Sequence, residues 1–269
     1  MEAVTVMQRL RGTALGKSGG RLRIMAAVAL ALSAPTAASA QFSVQPVIVE
    51  MVTGDTTAST VLQVHNESDG PLQMRFYAAD FDEAEDGSHT FAAPGTEAHS
   101  CSRHMRVFPD GATLEAHAVT QVRVLIEPVD STCWSMVFIE TGARAKKGIS
   151  IAQRIGVKVY GEPKALPPSG EIRGVHVLAG EPPVAVIQFA NLGAGPLRPQ
   201  GDVEIRTLDG TVVGKAPVEA FSVLPGRLRS VRVKLDLGLA PGSYLAIPIL
   251  DFGADYLAGG QASFEVAGP

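Results

Sequence analysis

Residues 146–169 read KKGISIAQRIGVKVYGEPKALPPS, and this stretch decides the fold class. Its apolar residues alternate with polar or small ones, which is typical of a β-strand with one apolar face. The alternating residues are Ile149, Ile151, Ile155, Val157 and Val159. The pattern predicts one strand from Ile149 to Tyr160. It leaves open whether the chain's own core or another protein covers the apolar face.

Short strands also predominate before this stretch, and no segment has a convincing helical period. Turn residues separate the strands, including Asp86-Gly87, a pair favoured in hairpins because both residues tolerate a positive φ. Regularly spaced short strands of this kind predict a β-sandwich. The predicted strands are Val44–Met51, Ala58–His65, Leu72–Ala79, Arg106–Pro109, Thr120–Glu127 and Cys133–Glu140.

The best domain boundary follows Tyr160. Residues 162–169 contain three prolines, which a central strand cannot accommodate and which favour a stiff connector. The boundary divides the chain into domains at residues 41–162 and 169–269, with residues 163–168 as linker. The second domain is predicted to be a smaller sandwich, with strands at Ile172–Leu178, Val184–Phe189, Val203–Leu208, Leu228–Leu235 and Tyr244–Leu250.

The N-terminus has the three-part pattern of a secretory signal peptide. Basic residues precede the apolar run Ile24–Leu32, Pro35 ends that run, and Ala38–Ala40 provides small residues for cleavage. The run is shorter than the roughly 20 residues that span a bilayer. We expect cleavage after Ala40 and export of residues 41–269, the alternative being an N-terminal anchor that stays uncut.

The charge argues against two classes of partner. Residues 1–40 carry five basic residues and one acid, so their removal changes the formal net charge from −4 to −8. A chain this acidic is not expected to bind nucleic acid or anionic lipid through unspecific electrostatics.

Cys101 and Cys133 are the only cysteines. In an oxidising compartment an even pair favours a disulfide. A metal site with His99 and His104 is an alternative, although the usual ligand spacings are missing. Two free thiols are the remaining possibility.

No pattern in residues 41–269 predicts catalysis. The histidines are scattered, and no glycine-rich phosphate loop lies between a strand and a helix. We therefore expect no enzyme activity, no cofactor, no metal and no small-molecule substrate.

Taken together, residues 41–163 resemble the periplasmic chaperones of the chaperone–usher pilus pathway. The C-terminal half resembles their second domain more loosely, at Pro241–Tyr244, Asp251–Tyr256 and Phe264–Val266. The first-domain resemblance rests on the order and spacing of short motifs: Thr53–Asp55, Leu62–Asn66 followed by Pro71, Phe81–Glu83 leading to Asp86-Gly87, Val107–Pro109, Gln121–Val124 and Arg154–Tyr160.

The resemblance implies two immunoglobulin-like β-sandwich domains arranged as a boomerang. It also implies a periplasmic, Gram-negative location and a chain that is monomeric when free. Such a chaperone binds a secreted pilus or fibre subunit that lacks one strand, lends it a β-strand, and delivers it to an outer-membrane usher. Strand addition covers both the unpaired sheet edge and the apolar gap of the subunit.

The donor strand would contain Ile149, Ile151, Gln153 and Ile155. Of these, Ile149 and Ile151 lie farthest from the domain's own core, whereas Ile155 is expected to pack in that core with Val157 and Val159. The alternative is that the entire apolar face of this stretch packs inside the chain's own sandwich.

The resemblance also implies a cationic anchor for the subunit's terminal carboxylate. Arg154 lies near the position in the last strand, within about one residue of it, and the alternative is that it is a solvated edge residue. The first-strand position falls near Val49, and residues 41–53 contain no arginine. An alternative function from another class is a structural or adhesive surface protein built from two such sandwiches.

Overall fold

The structure is a computed structural model that describes residues 41–142, 144–146 and 149–268. These residues form twenty strands and one 3-10 turn at Cys101–Arg103, with no α-helix. The prediction of an all-β chain with two sandwiches is confirmed. In the part of the chain that the structure describes, no helical segment could span a bilayer.

The first sandwich, residues 42–162, has a four-stranded sheet in the order β1-β3-β8-β6 and a larger sheet in the order β2-β12-β9-β4-β5, with β7 beside β4; β10 and β11 pair with each other. Its strands are β1 (Phe42–Gln45), β2 (Ile48–Val52), β3 (Ala58–Asn66), β4 (Leu72–Glu83), β5 (His89–Ala92), β6 (Met105–Phe108), β7 (Gly111–Leu114), β8 (Val119–Ile126), β9 (Cys133–Thr141), β10 (Arg144–Lys146), β11 (Ile149–Ile151) and β12 (Arg154–Glu162).

The second sandwich, residues 170–266, packs the sheet β13-β14-β17 against β16-β15-β18-β19, with β20 also on β18. Its strands are β13 (Gly170–Leu178), β14 (Val184–Asn191), β15 (Gln200–Thr207), β16 (Val212–Val218), β17 (Leu228–Lys234), β18 (Gly242–Asp251), β19 (Ala258–Gly259) and β20 (Ala262–Val266).

Two predicted strands are each divided in the structure. The sequence predicts Val44–Met51 as one strand, but β1 pairs with β3 in one sheet and β2 pairs with β12 in the other. Pro46 lies at the crossover, where it has no N–H to donate to a ladder. One segment therefore contributes to both sheets of the first sandwich.

The strand predicted from Ile149 to Tyr160 is interrupted at Ala152 and Gln153. The Gln153 N–H donates to the Thr141 hydroxyl (3.0 Å) instead of a main-chain carbonyl, while Thr141 N donates to the Gln153 carbonyl (2.9 Å). This side-chain bond breaks the regular ladder, so β11 belongs to a hairpin with β10 and β12 begins at Arg154.

Alternation along β12 explains how the sandwich is filled. Val157 and Val159 are fully buried between the two sheets, and Ile155 packs partly buried against the same core. Arg154, Gly156, Lys158 and Tyr160 occupy the opposite face. Only 1% of Tyr160 is exposed, because it packs with Leu224 of the second sandwich.

Cys101 and Cys133 form a disulfide. The bond engages both sulfurs, so the alternatives of free thiols and a cysteine metal site do not apply. Nearby, His99 stacks on Trp134 with ring centroids 3.8 Å apart. No group of three or more potential metal ligands occurs among the described residues.

Candidate functional site: an open strand edge beside an apolar groove

The first element of the candidate site is an incompletely paired part of β12. On one side, β12 pairs with β9 from Arg154 to Gly161. On the other side, the ladder with β2 begins only at Lys158, which pairs with Ile48. In the part of the chain that the structure describes, no strand covers Arg154–Val157 on that side, and we call these four residues the open edge. Unpaired backbone groups on such an edge can template another strand.

The predicted donor residues lie before and within this edge. β11 pairs with β10 in the register Arg144 with Ile151, and the side chains of Ile149 and Ile151 lie outside the described residues. Gln153 is half-buried and accepts a hydrogen bond from the backbone N–H of Gln41 (3.2 Å) through its amide oxygen. Ile155 packs against the first core. Gln153 and Ile155 are therefore tied to their own sandwich.

The second element is a groove of about 430 Å³ beside the open edge. Its aromatic lining is partly accessible: Phe91 is 47% exposed, and its ring meets that of Phe138 edge-on, with centroids 5.1 Å apart. Gly156 lets Met136 and Phe138 pack close to the backbone of β12, because a Cβ there would lie 2.7 Å from the sulfur of Met136. The lining residues are Val47, Ile48, His89, Phe91, Met136, Phe138, Arg154, Gly156 and Lys158.

Arg154, the predicted anchor, covers the aromatic part of this groove. Its guanidinium carbon lies 4.2 Å from the centroid of the Phe138 ring and 5.5 Å from that of Phe91. The residue is exposed. Within the described part of the chain, Arg154 has no ion pair, so its positive charge can bind an anion that enters the groove. A cation over an aromatic face is held by the ring quadrupole without being neutralised.

Lys158 carries the second positive charge of the groove, and here the charge is balanced. Its Nζ lies 2.8 Å from Oε2 of the buried Glu83, whose other oxygen faces Nε of Arg229 at 3.4 Å. His89 also lies 3.4 Å from Glu83. Burial and, next, the charge of Lys158 lower the pKa of His89, which favours the neutral imidazole at neutral pH. Lys158 and Arg229 thus both face the single carboxylate of Glu83.

The site thus combines an exposed backbone edge, an apolar and aromatic groove, and an unpaired cation. This arrangement suits an extended polypeptide: main-chain groups would pair with the edge, an apolar side chain would enter the groove, and a carboxylate would approach Arg154.

The sequence predicts Arg154 as an anchor, which stays a prediction, and it does not predict the groove. Its signal was present in β9, where Cys133, Ser135 and Val137 alternate with Trp134, Met136 and Phe138. A strand that is apolar on both alternating faces must be covered on both. The second face of β9 packs with Tyr160 and Leu224 near the second sandwich and reaches the groove at Met136 and Phe138.

Comparisons with known proteins add distant structural likenesses. No protein-family model matches the sequence, and no curated protein matches it. The class 5 fimbriae chaperone CfaA aligns at a TM-score of 0.47 with 12% identity, over 82% of this chain and 98% of that one. The YadV chaperone aligns at a TM-score of 0.47 with 11% identity, over 84% of this chain and 100% of that one. A third similar structure is the CsuC–CsuE chaperone–tip adhesion subunit complex of Acinetobacter baumannii. One of its chains aligns at a TM-score of 0.45 with 12% identity, over 82% of this chain and 98% of that one.

Proposed function

We propose that this chain is a periplasmic chaperone that binds an incomplete β-sandwich subunit of a pilus or surface fibre and caps it by donating a β-strand. The observation that carries the proposal is the open edge at Arg154–Val157, which lies directly beside an accessible aromatic groove. An unprotected edge next to exposed apolar surface is a liability in a protein that acts alone, and it is useful in one that must pair with a partner.

In this mechanism the subunit's unpaired strand lies along the open edge. Main-chain hydrogen bonds would supply affinity that does not depend on sequence, and alternating side chains would supply fit. The donor segment extends from Ile149 and Ile151 through Gln153 to Ile155. Because Ile155 is already committed to the first core, Ile149 and Ile151 are the residues proposed to fill the subunit's gap.

Arg154 is proposed to bind the subunit's terminal carboxylate. Lys158 is less suited to this role, because Glu83 accepts its hydrogen bond at 2.8 Å. A guanidinium group can also bind a carboxylate in a bidentate way. The groove lined by Phe91 and Phe138 would receive the side chain next to that carboxylate.

The proposal includes partners and a compartment. The chain would be exported, remain monomeric when free, form a one-to-one complex with a secreted subunit, and deliver it to an outer-membrane usher. One of the solved chaperones named above is in a complex with a tip adhesion subunit. We assign the same kind of partner to this chain.

Site-specific photo-crosslinking in producing cells tests the proposal. A benzoylphenylalanine in place of Phe91 puts the crosslinker in the groove. The same substitution at Phe108, which is 71% exposed on β6 in the other sheet, is a matched control. We expect the Phe91 variant to crosslink one small exported protein whose sequence predicts a β-sandwich lacking a strand, and the Phe108 variant not to crosslink that protein.

One result would contradict the chaperone function, and another would contradict the proposed site. Crosslinking of Phe91 only to a second copy of the chain would favour the structural or adhesive surface protein. Capture of the same protein equally at Phe91 and Phe108 would show that the groove is not the binding site.

A further inference from the structure

The loop between β4 and β5, residues 84–88, docks on the second sandwich through Glu85. Its carbonyl oxygen accepts hydrogen bonds from the Ser230 N–H (2.8 Å) and from Nη1 of Arg229 (2.9 Å). Its carboxylate oxygen Oε1 accepts from the Ser230 hydroxyl and from Nε2 of Gln188 (3.1 Å). We call Glu85 with Gln188, Arg229 and Ser230 the latch. One hairpin tip of the first sandwich is thereby bonded to β14 and β17.

Two neighbouring contacts reinforce the latch. Nη2 of Arg227 donates to Oδ2 of Asp82 at 2.6 Å, which ties β4 itself to the second sandwich. The guanidinium of Arg229 lies against Gly87, where an added Cβ would come within 1.8 Å of Nη2. Gly87 also has a φ of 83°, a value that favours glycine. The tip keeps its conformation through its own hydrogen bonds, from the Gly87 N–H to the Ala84 carbonyl and from the Ser88 N–H to the Asp86 carboxylate, and its surface fits against Arg229 of the second sandwich.

The strand that follows the latch is a wall of the groove. β5 begins at His89, directly after the docked tip, and carries Phe91. It pairs with β4 at the edge of its sheet. An edge strand bonded on one side has fewer constraints than a central one, so its position depends strongly on how its ends are held. At the other end of β5, the segment that follows the strand is held by the buried Asp80. The Asp80 carboxylate accepts hydrogen bonds from the N–H groups of Thr96 and Glu97.

The residues found to line the groove all belong to the first sandwich. We propose that Glu85 is a positioning residue through which the second sandwich, without lining the groove, holds the β5 wall and thereby sets the groove's affinity for an aromatic anion. The nature of the biological ligand rests on the proposed function; the coupling from the latch to the groove does not. The physical basis is pre-organisation: a wall that is already in place costs no ordering free energy when a ligand binds.

The test uses 1-anilinonaphthalene-8-sulfonate as the probe, because it combines an aromatic ring system with an anion. Binding is followed in the purified full chain through the ¹³C-methyl resonance of Met136, which lines the groove. The methyl groups of Met51 and Met74, buried in the first core, report whether the fold is intact. Readout at Met136 separates groove binding from dye bound elsewhere.

Three variants are compared with the wild type: Glu85→Ala, the donor pair Gln188→Ala/Ser230→Ala, and the two combined. The matched control is Gln261→Ala/Ser243→Ala, exposed residues of the second sandwich outside the latch. We expect the first two variants each to weaken probe binding by about fivefold. The combined variant should lose no more probe affinity than either variant alone. Both changes remove the same two hydrogen bonds, from Ser230 and Gln188 to the Glu85 carboxylate. The control should bind like the wild type.

Affinities within twofold of the wild type in both latch variants, or losses that simply add in the combined variant, would overturn the proposal. A probe that leaves the wild-type Met136 resonance unmoved would overturn it as well. The titration needs no fibre subunit, so these outcomes are independent of whether the chain proves to be a chaperone.

Discussion

The guanidinium carbon of Arg154 lies 4.2 Å from the centre of the Phe138 ring, on the face of the sheet opposite Val157 and Val159. The guanidinium of Arg154 thus packs on an aromatic ring instead of pairing with a carboxylate. Replacement of Arg154 should have little effect on the core and a large effect on anion binding.

We expect Arg154→Gln to weaken binding of anilinonaphthalenesulfonate at Met136 by about tenfold, the value of one charge-assisted hydrogen bond. The midpoint of thermal unfolding should change by no more than a few degrees, because the residue is exposed. The matched control is Arg123→Gln, an exposed arginine on β8 in the other sheet. Equal losses in the two variants would mean that the probe senses net charge and not the site.

Ile151 and Ile155 should respond differently to the same substitution. Ile151→Asp is expected to abolish the subunit complex while leaving thermal unfolding little changed, because residue 151 lies in the β10–β11 hairpin outside the first sandwich's two main sheets. Ile155→Asp should lower the free energy of unfolding by about 3 kcal/mol, because it places a carboxylate against the first core.

The two isoleucine variants are compared by calorimetry and by size-exclusion chromatography with the subunit identified by crosslinking. A complex that survives Ile151→Asp would show that this residue is not donated.

Asp80 should make the first sandwich sensitive to acid. Burial alone would raise its pKa, but hydrogen bonds from the Glu97 N–H and from the hydroxyls of Ser100 and Ser102 outweigh burial and lower the pKa. A group whose pKa is lower in the folded state stabilises the fold above its unfolded pKa, near 3.9, and that contribution is lost as the pH falls through the folded pKa.

We therefore expect Asp80→Asn to be less stable than the wild type by about 2–3 kcal/mol at pH 7, with a smaller difference below pH 4. Urea unfolding at pH 7, 5 and 3 measures this, with the exposed Asp130→Asn as control. A difference that stays constant across this range would exclude the carboxylate's charge as its cause.

The disulfide should contribute substantially to stability. It joins residues 32 positions apart, for which loop-closure entropy gives a stabilisation of about 3–4 kcal/mol. Cys101→Ser/Cys133→Ser should show a loss of this size in urea unfolding. Thiol titration of the unfolded, unreduced wild type should find no reactive thiol, and two reactive thiols would contradict the bond.

Particular residues show what the sequence could and could not predict. Alternation in β12 predicted correctly that Val157 and Val159 face the core, since a period of two depends only on local pattern. The pattern did not reveal that Thr141 would interrupt the ladder at Gln153, because that bond joins residues brought together by the β9–β12 pairing. Nor did it reveal that Pro46 separates strands belonging to different sheets.

The groove was harder to predict for the same reason. Phe91 and Phe138 are 47 positions apart in the chain and meet only because β5 and β9 both pair with β4. The latch joins Glu85 to Ser230 across 145 positions. Contacts between residues so far apart in sequence follow from the packing of the complete chain, and no local sequence motif predicts them.

Gly156 gives the groove a depth that a single codon could alter. The position faces Met136 and Phe138 across a distance too short for even one additional carbon to fit without displacing them. Its chain neighbours, Ile155 and Val157, point into the core on the reverse face. Evolution could therefore make the groove shallower, and change which ligands it accepts, by exchanging one hydrogen atom for a methyl group while the hydrophobic interior keeps its composition.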